Sequence, residues 1–152
     1  MHYLEDLRIG QCFQSGFHTM TAEEIKRFAA EYDPQPFHLD DGAARATLFG
    51  GLAASGWHTA AVSMRLNVEA APFAGGIIGS GGELVWTKPV RPGDTLQVET
   101  EVLDIVPSRS KPDRGMVTVR CTTRNQLGET VQTFTPKLVV FCRSPSDRAL
   151  SI

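Results

Sequence analysis

The chain has 152 residues, 41% of them hydrophobic and 21% charged, with a formal net charge of −2. That length suits one domain, spanning residues 1–152, with a real core, and is too short for two comfortable ones. The slightly acidic balance argues against general nucleic-acid or anionic-membrane binding, which need a basic surface, and no run approaches the ~20 apolar residues of a membrane span.

Leu4 to Phe17 reads as a short opening segment and strand, broken by Gly10 and Gly16. Thr21-Ala22-Glu23-Glu24 is a helix start: Thr21 can cap, Glu24 holds the capping-box position, and Met20 can staple against Ile25. The helix Ala22 to Tyr32 carries Ile25, Phe28, Ala29 and Tyr32 on one face, and Pro34 ends it. Asp40-Asp41-Gly42 can open a second helix, Asp41 to Thr47, with acidic residues at its positive end. After Gly50-Gly51, the stretch Leu52 to Val68 is rich in small residues and apolar nearly all round, which predicts a buried helix that something must wrap.

The remainder is strand-like. Ile77 to Trp86, Thr95 to Val106, Met116 to Asn125 and Glu129 to Phe141 alternate or are β-branched. Pro89 to Asp94, Pro107 to Gly115 and Asn125 to Gly128 supply turns, which makes consecutive strands antiparallel neighbours. Pro136 inside the last strand predicts an edge or a bulge. A long helix followed by a large antiparallel sheet is an α+β layer fold, and residues 144–152 read as a loose tail.

The segment Asp33-Pro34-Gln35-Pro36-Phe37-His38 carries the chemistry. Its two prolines remove backbone donors, disfavour helix and push Asp33 and Gln35 toward extended conformations. A stiffened chain holds Asp33 and His38 at a repeatable separation, and an Asp/His pair is the simplest proton-handling set near neutral pH. The plain alternative is an acidic turn, with Asp33, Asp40 and Asp41 leading into the next helix. Cys12, Cys121 and Cys142 are odd in number and far apart, without a CxxC or His/Cys cluster. They predict reduced structural thiols in a cytoplasm and no metal site; the charged stretch Met1 to Gly10 lacks an apolar secretory core.

The order of helix, Asp-x-x-Pro-x-His segment, small-residue helix and strands, with Lys88-Pro89-Val90-Arg91-Pro92-Gly93-Asp94 between two of them, resembles the MaoC-like group of hot-dog-fold acyl-CoA dehydratases and R-specific enoyl-CoA hydratases. The resemblance covers roughly Leu4 to Phe141. It implies a single hot-dog domain, an antiparallel sheet wrapped around a long buried helix. It also implies an acyl-CoA thioester as substrate, with Asp33 and His38 activating water. A backbone N–H of Gly81, with Gly82 the close second, would bind the thioester carbonyl, and the plain alternative is a flexible strand start. Ser55 is the nearest match to a site serine on the helix, although the match could fall on Gly56. His58 has no role in the family pattern and reads as a buried histidine with a local partner.

Three positions depart from the pattern. Gln35 replaces the usual Asn, Phe37 is bulkier than the usual aliphatic residue, and Gly50 stands where relatives often carry a His before a helix-opening Gly51. A wall built from Phe37, Trp57 and small helix residues predicts a short or branched acyl chain. The family implies no cofactor beyond the coenzyme A of the substrate, and a homodimer as the minimum assembly. Arg45, Arg65, Lys88, Arg91, Arg109 and Lys111 all remain candidates for the coenzyme A phosphates. The competing readings are a hot-dog thioesterase, for which Glu69 at the end of the helix is the one candidate acid on it, and a non-catalytic acyl-binding domain.

Overall fold

A computed structural model describes residues 1–144; residues 145–152, most of the predicted tail, lie outside the described residues. After a 3-10 turn at Leu4–Asp6, the elements are β1 (Cys12–Thr19), α1 (Ala22–Tyr32), α2 (Pro36–Leu39), α3 (Asp41–Arg45) and α4 (Gly56–Ala70), then β2 (Ile78–Trp86), β3 (Thr95–Pro107), β4 (Arg114–Arg124) and β5 (Thr130–Phe141). The five strands form one antiparallel sheet in the order β1-β3-β4-β5-β2. One face of the sheet packs on α4, giving the expected α+β layers.

Alternation along the central strands builds the core. Leu96, Val98, Thr100 and Val102 of β3 and Val117, Val119, Cys121 and Thr123 of β4 are buried, while the residues between them are less so. Leu66 of α4 joins this cluster. Two polar contacts pin the helix to the sheet: Ser63 Oγ meets Thr123 Oγ1 at 2.8 Å, and Thr100 Oγ1 donates to Asn67 Oδ1 at 2.6 Å. Buried hydroxyl and amide groups therefore find partners in one another, which avoids the cost of leaving them unpaired.

Strand order corrects the expectation that neighbours in sequence pair. β3, β4 and β5 do, but β2 pairs with β5 instead of β3. The link between β2 and β3 contains Pro89 and Pro92, and its Val90 is buried in the core, so it crosses the sheet end instead of closing a hairpin. β5 is consequently an interior strand, and β1 and β2 form the edges. Pro136 thus lies on an interior strand and not at an edge, opposite Gly82 in regular register. The register shift of that strand pair falls beyond it, between Gly79 and Gly81 opposite Leu138 and Lys137. The paired positions of β4 and β5 skip Pro136, which has no N–H to donate.

Helix boundaries shift as well. Thr21 accepts from the Glu24 N–H at 3.2 Å as the cap, but Glu24 turns its carboxylate to His18 Nε2 at 2.8 Å. Ile25 and Ala29 are buried and Tyr32 is exposed. The segment expected to exclude helix contains one helical turn, α2, because Pro36 sits at its first position, where a missing N–H is tolerated. α3 ends at Arg45 rather than Thr47, with Asp40 as its cap, accepting from the Ala43 N–H at 2.7 Å.

α4 opens at Gly56, not near Leu52 or Gly51. Leu52 to Ser55 is held extended by non-local bonds: the Ala53 N–H donates to the Phe37 carbonyl at 3.1 Å and the Ala54 N–H to Val90 at 2.8 Å. Nor is the helix wrapped all round in one chain. Its outer face, with Trp57, Met64 and Val68, is exposed, as is nearly all of β2.

Candidate active site

Asp33 caps the C-terminus of α1, its N–H donating to the Ala29 carbonyl at 2.9 Å, with an extended φ of −151°. Gln35 is extended too, as the residue before a proline must be, and the turn of α2 then carries His38 into the interior at 4% exposure. The two side chains meet there: His38 Nε2 lies 3.3 Å from Asp33 Oδ2.

Each partner is held by a second group. His38 Nδ1 lies 2.6 Å from the Ala53 carbonyl oxygen. A carbonyl only accepts, so Nδ1 bears the hydrogen, and Nε2 of the neutral ring is the free base. Ser55, fully buried at the N-terminal cap of α4, donates its Oγ–H to Asp33 Oδ2 at 2.7 Å. Gln35 Nε2 donates to Asp33 Oδ1 at 2.5 Å. Partial burial pushes the Asp33 carboxyl upward, but the Ser55 and Gln35 hydrogen bonds and the charge of a protonated His38 outweigh it, leaving the carboxyl below its ordinary value.

The extended Leu52–Ser55 segment explains how these parts converge. It supplies the Ala53 backbone carbonyl to His38 and the Ser55 side-chain hydroxyl to Asp33. Arg91 fixes the loop ahead of it, its guanidinium donating to the carbonyls of Phe49, Gly51 and Leu52. Arg91 is thereby committed to holding the loop rather than standing free for a phosphate.

A cleft of about 400 Å³ opens beside the pair, lined by Gln35, Phe37, His38, Phe49, Gly56 and Trp86 among others, with Lys88 and Val90 completing one side. The Phe37 and Phe49 rings pack 5.0 Å apart. Trp57, expected in this wall, is instead 60% exposed and lines a second groove; Trp86 takes its place. Gly56 is required by that tryptophan: a Cβ there would lie 2.5 Å from the indole. Neither Trp86 nor Phe49 was singled out from sequence, and the strand pattern around Trp86 gave no sign that its ring covers a helix terminus.

The structure does not bring Gly81 and Gly82 to the pair within one chain. They line the second groove, with Trp57, Met64, Leu84 and Phe134. Both have local reasons to be glycine: Gly81 has φ +139° at the bulge, and a Cβ on Gly82 would come within 2.6 Å of Pro136 Cα. His58 also differs from expectation. It is buried and stacks on Phe28 at 4.7 Å, yet its Nδ1 has no hydrogen-bond partner among the described residues, and burial holds its pKa below the ordinary value. Glu69, the acid a thioesterase reading would use, is well exposed and 3.7 Å from Arg65. Among the described residues no cluster of three or more His, Cys, Asp or Glu has the arrangement of a metal site.

Comparison with known proteins identifies the family and the fold. The family model described as a MaoC like domain matches residues 8–125. The crystal structure of a MaoC-like dehydratase from Rhodospirillum rubrum is 59% identical, with a TM-score of 0.93 over 95% of this chain and 99% of that one. The R-hydratase PhaJ1 from Pseudomonas aeruginosa, in its unliganded form, is 27% identical with a TM-score of 0.72, over 92% of this chain and 86% of that one. The uncharacterized protein YdeM of Bacillus subtilis (strain 168) is 38% identical over 126 residues, 81% of this chain and 87% of that protein. The chain has the hot-dog fold and belongs to the MaoC-like dehydratase family.

Proposed function

We propose that the protein is a hydratase/dehydratase, adding water to a 2-enoyl thioester or removing it from a 3-hydroxyacyl thioester. The observation that carries this reading is the 3.3 Å approach of two acceptor atoms, His38 Nε2 and Asp33 Oδ2, beside a ligand-sized cleft. Two converging acceptors suit one water, which can donate a hydrogen to each.

In the hydration direction the water oxygen bonds to C3 as His38 Nε2 takes one of its protons. The double-bond electrons move toward C1 and the thioester oxygen becomes an enolate. The imidazolium then returns the proton to C2, so that H and OH have been added across the double bond. The Ala53 carbonyl and the Asp33 carboxylate stabilise the imidazolium while it exists.

The enolate oxygen needs a donor, and Gly56 supplies one in the cleft itself. The first N–H groups of a helix lack intrahelical acceptors and carry its positive end, and Gly56 is the first residue of α4. We assign the carbonyl contact to this terminus, ahead of Gly81 and Gly82, whose groove is separate. No step is routed through a metal or prosthetic group, because the thioester itself acidifies C2. The aromatic wall of Phe37, Phe49 and Trp86 favours a short or branched acyl chain. If long straight enoyl-CoAs turned over as well as four- or five-carbon ones, that part would fail.

The assembly we propose is a homodimer. β2 is an edge strand exposed along nearly all of its length, Ile78 and Val85 included, and the outer face of α4 adds Trp57, Met64 and Val68. A second copy is the simplest cover for this exposed apolar surface.

The functional test is loss of enoyl-thioester absorbance when the protein is added to crotonyl-CoA, with free thiol followed in parallel. Absorbance loss without thiol supports hydration. Thiol release would establish a thioesterase, and silence with both four- and five-carbon enoyl-CoAs would favour acyl binding without turnover.

A further inference from the structure

The six cations left open by the sequence have different surroundings. Arg91 is spent on three loop carbonyls. Arg65 donates to His18 Nδ1 at 3.2 Å and faces Glu69. Arg109 lines a separate depression with Pro107, Gly115 and Val139, and the Lys111 N–H is bonded to Ser108 Oγ in that same link. Arg45 ends α3 and does not line the cleft. Of the six, Lys88 alone shares the cleft with Gln35, Phe37 and His38.

Lys88 sits on the crossover between β2 and β3, and its ammonium pairs with the Glu129 carboxylate. Both side chains are partly exposed, so the pair is weak and easily exchanged. The crossover is also tied to the catalytic loop. Two residues after Lys88, the Val90 carbonyl accepts from Ala54, the residue next to the Ala53 carbonyl that orients His38. The backbone that carries the lysine is therefore tied to the segment that orients the reacting imidazole.

We propose that Lys88 is the phosphate anchor of the substrate, gripping the phosphate of its 4′-phosphopantetheine arm, and that Glu129 occupies the ammonium until substrate displaces it. This rests on the thioester reading above. With the thioester against His38, the pantetheine arm leaves the cleft along the side that Lys88 forms. As half of the diphosphate of coenzyme A, the phosphate offers more charge and more acceptor oxygens than one carboxylate, whereas on a carrier protein it is a singly charged phosphodiester. Glu129 is partly exposed and can give way to it. The same phosphate occurs in coenzyme A and on carrier proteins.

The test compares Lys88→Gln and Glu129→Gln on crotonyl-pantetheine, crotonyl-4′-phosphopantetheine, crotonyl-CoA and a crotonylated carrier protein. Lys88→Gln should raise KM for the phosphorylated substrates about three- to tenfold, the loss of one exposed charge-assisted bond, and leave KM for crotonyl-pantetheine unchanged. Glu129→Gln should move KM the opposite way, again only where a phosphate is present. Of CoA and carrier protein, the substrate with the larger Lys88→Gln penalty identifies the source. An equal penalty on crotonyl-pantetheine, or a rise in KM with Glu129→Gln, would overturn the proposal. Calorimetric binding of 4′-phosphopantetheine keeps the test separate from the reaction. Binding that Lys88→Gln weakens supports the anchor even if no enoyl thioester is hydrated, and binding it leaves unchanged refutes it.

Discussion

Replacing Ser55 by alanine removes the hydroxyl that donates to Asp33 Oδ2 at 2.7 Å. A hydrogen bond to a charged group contributes about 1.5–3 kcal/mol net. Ser55 is fully buried, but the Asp33 carboxylate keeps some exposure and water can replace part of the lost bond, which places the effect at the low end. At 1.36 kcal/mol per factor of ten, about 1.5–2 kcal/mol corresponds to a loss in kcat of roughly ten- to thirtyfold, if the bond aligns Asp33 in the transition state. The same amount taken from stability would lower Tm by about 3–8 °C in a chain of this size. Crotonyl-CoA hydration gives kcat and KM, and thermal unfolding gives Tm. The hydroxyl is also one reason the Asp33 carboxyl lies below its ordinary value, so its removal should move the acid limb of activity upward in pH. Wild-type kcat with an unshifted acid limb in Ser55→Ala would refute the positioning argument.

Further outcomes follow from the same geometry. Arg91→Ala leaves the carbonyls of Phe49, Gly51 and Leu52 without their donor. It should destabilise by about 2–4 kcal/mol in thermal unfolding, and Arg91→Lys should not restore the loss, because a lysine cannot reproduce the planar fork. Met64→Glu combined with Val68→Glu places two charges on the outer face of α4, and sedimentation should show the wild-type dimer replaced by a folded monomer; a monomeric wild type would refute the proposed interface. The depressed Asp33 carboxyl contributes stability that is present above the ordinary carboxylate range and is lost as pH falls through its folded value. Asp33→Asn should therefore flatten the acid side of the stability curve: the advantage of the wild type is present above the ordinary carboxylate range and shrinks as pH falls.

The pair itself was legible because it is local. Pro34 and Pro36 shape the short path between Asp33 and His38, and the Ala53 and Ser55 contacts then fix the two side chains. The α1 cap was legible for the same reason. What the sequence concealed depends on non-local bonds. Leu52 to Ser55 has the composition of a helix start, yet Phe37 and Val90 hold it extended by accepting from Ala53 and Ala54. That extension puts Ser55 at a cap facing Asp33, where a helical serine would have bonded back to its own chain. The pairing of β2 with β5 is likewise set by a crossover whose span no local pattern reveals. It brings Trp86 over Gly56 and leaves Trp57 outside, exchanging the two tryptophans relative to expectation. Gly81 and Gly82 line a groove separate from the pair within one chain, and each has a local reason to be glycine: the register shift and positive φ at Gly81, and the close approach of Pro136 to Gly82.

The most direct test of the central claim is kcat for crotonyl-CoA hydration measured on Asp33→Asn and His38→Ala beside the wild type, with Tm recorded for each. The account predicts that each substitution lowers kcat by on the order of 10² or more, with Tm barely changed. Hydration at the wild-type rate in either variant, or unfolding of both, would contradict it and make the Asp33–His38 contact structural.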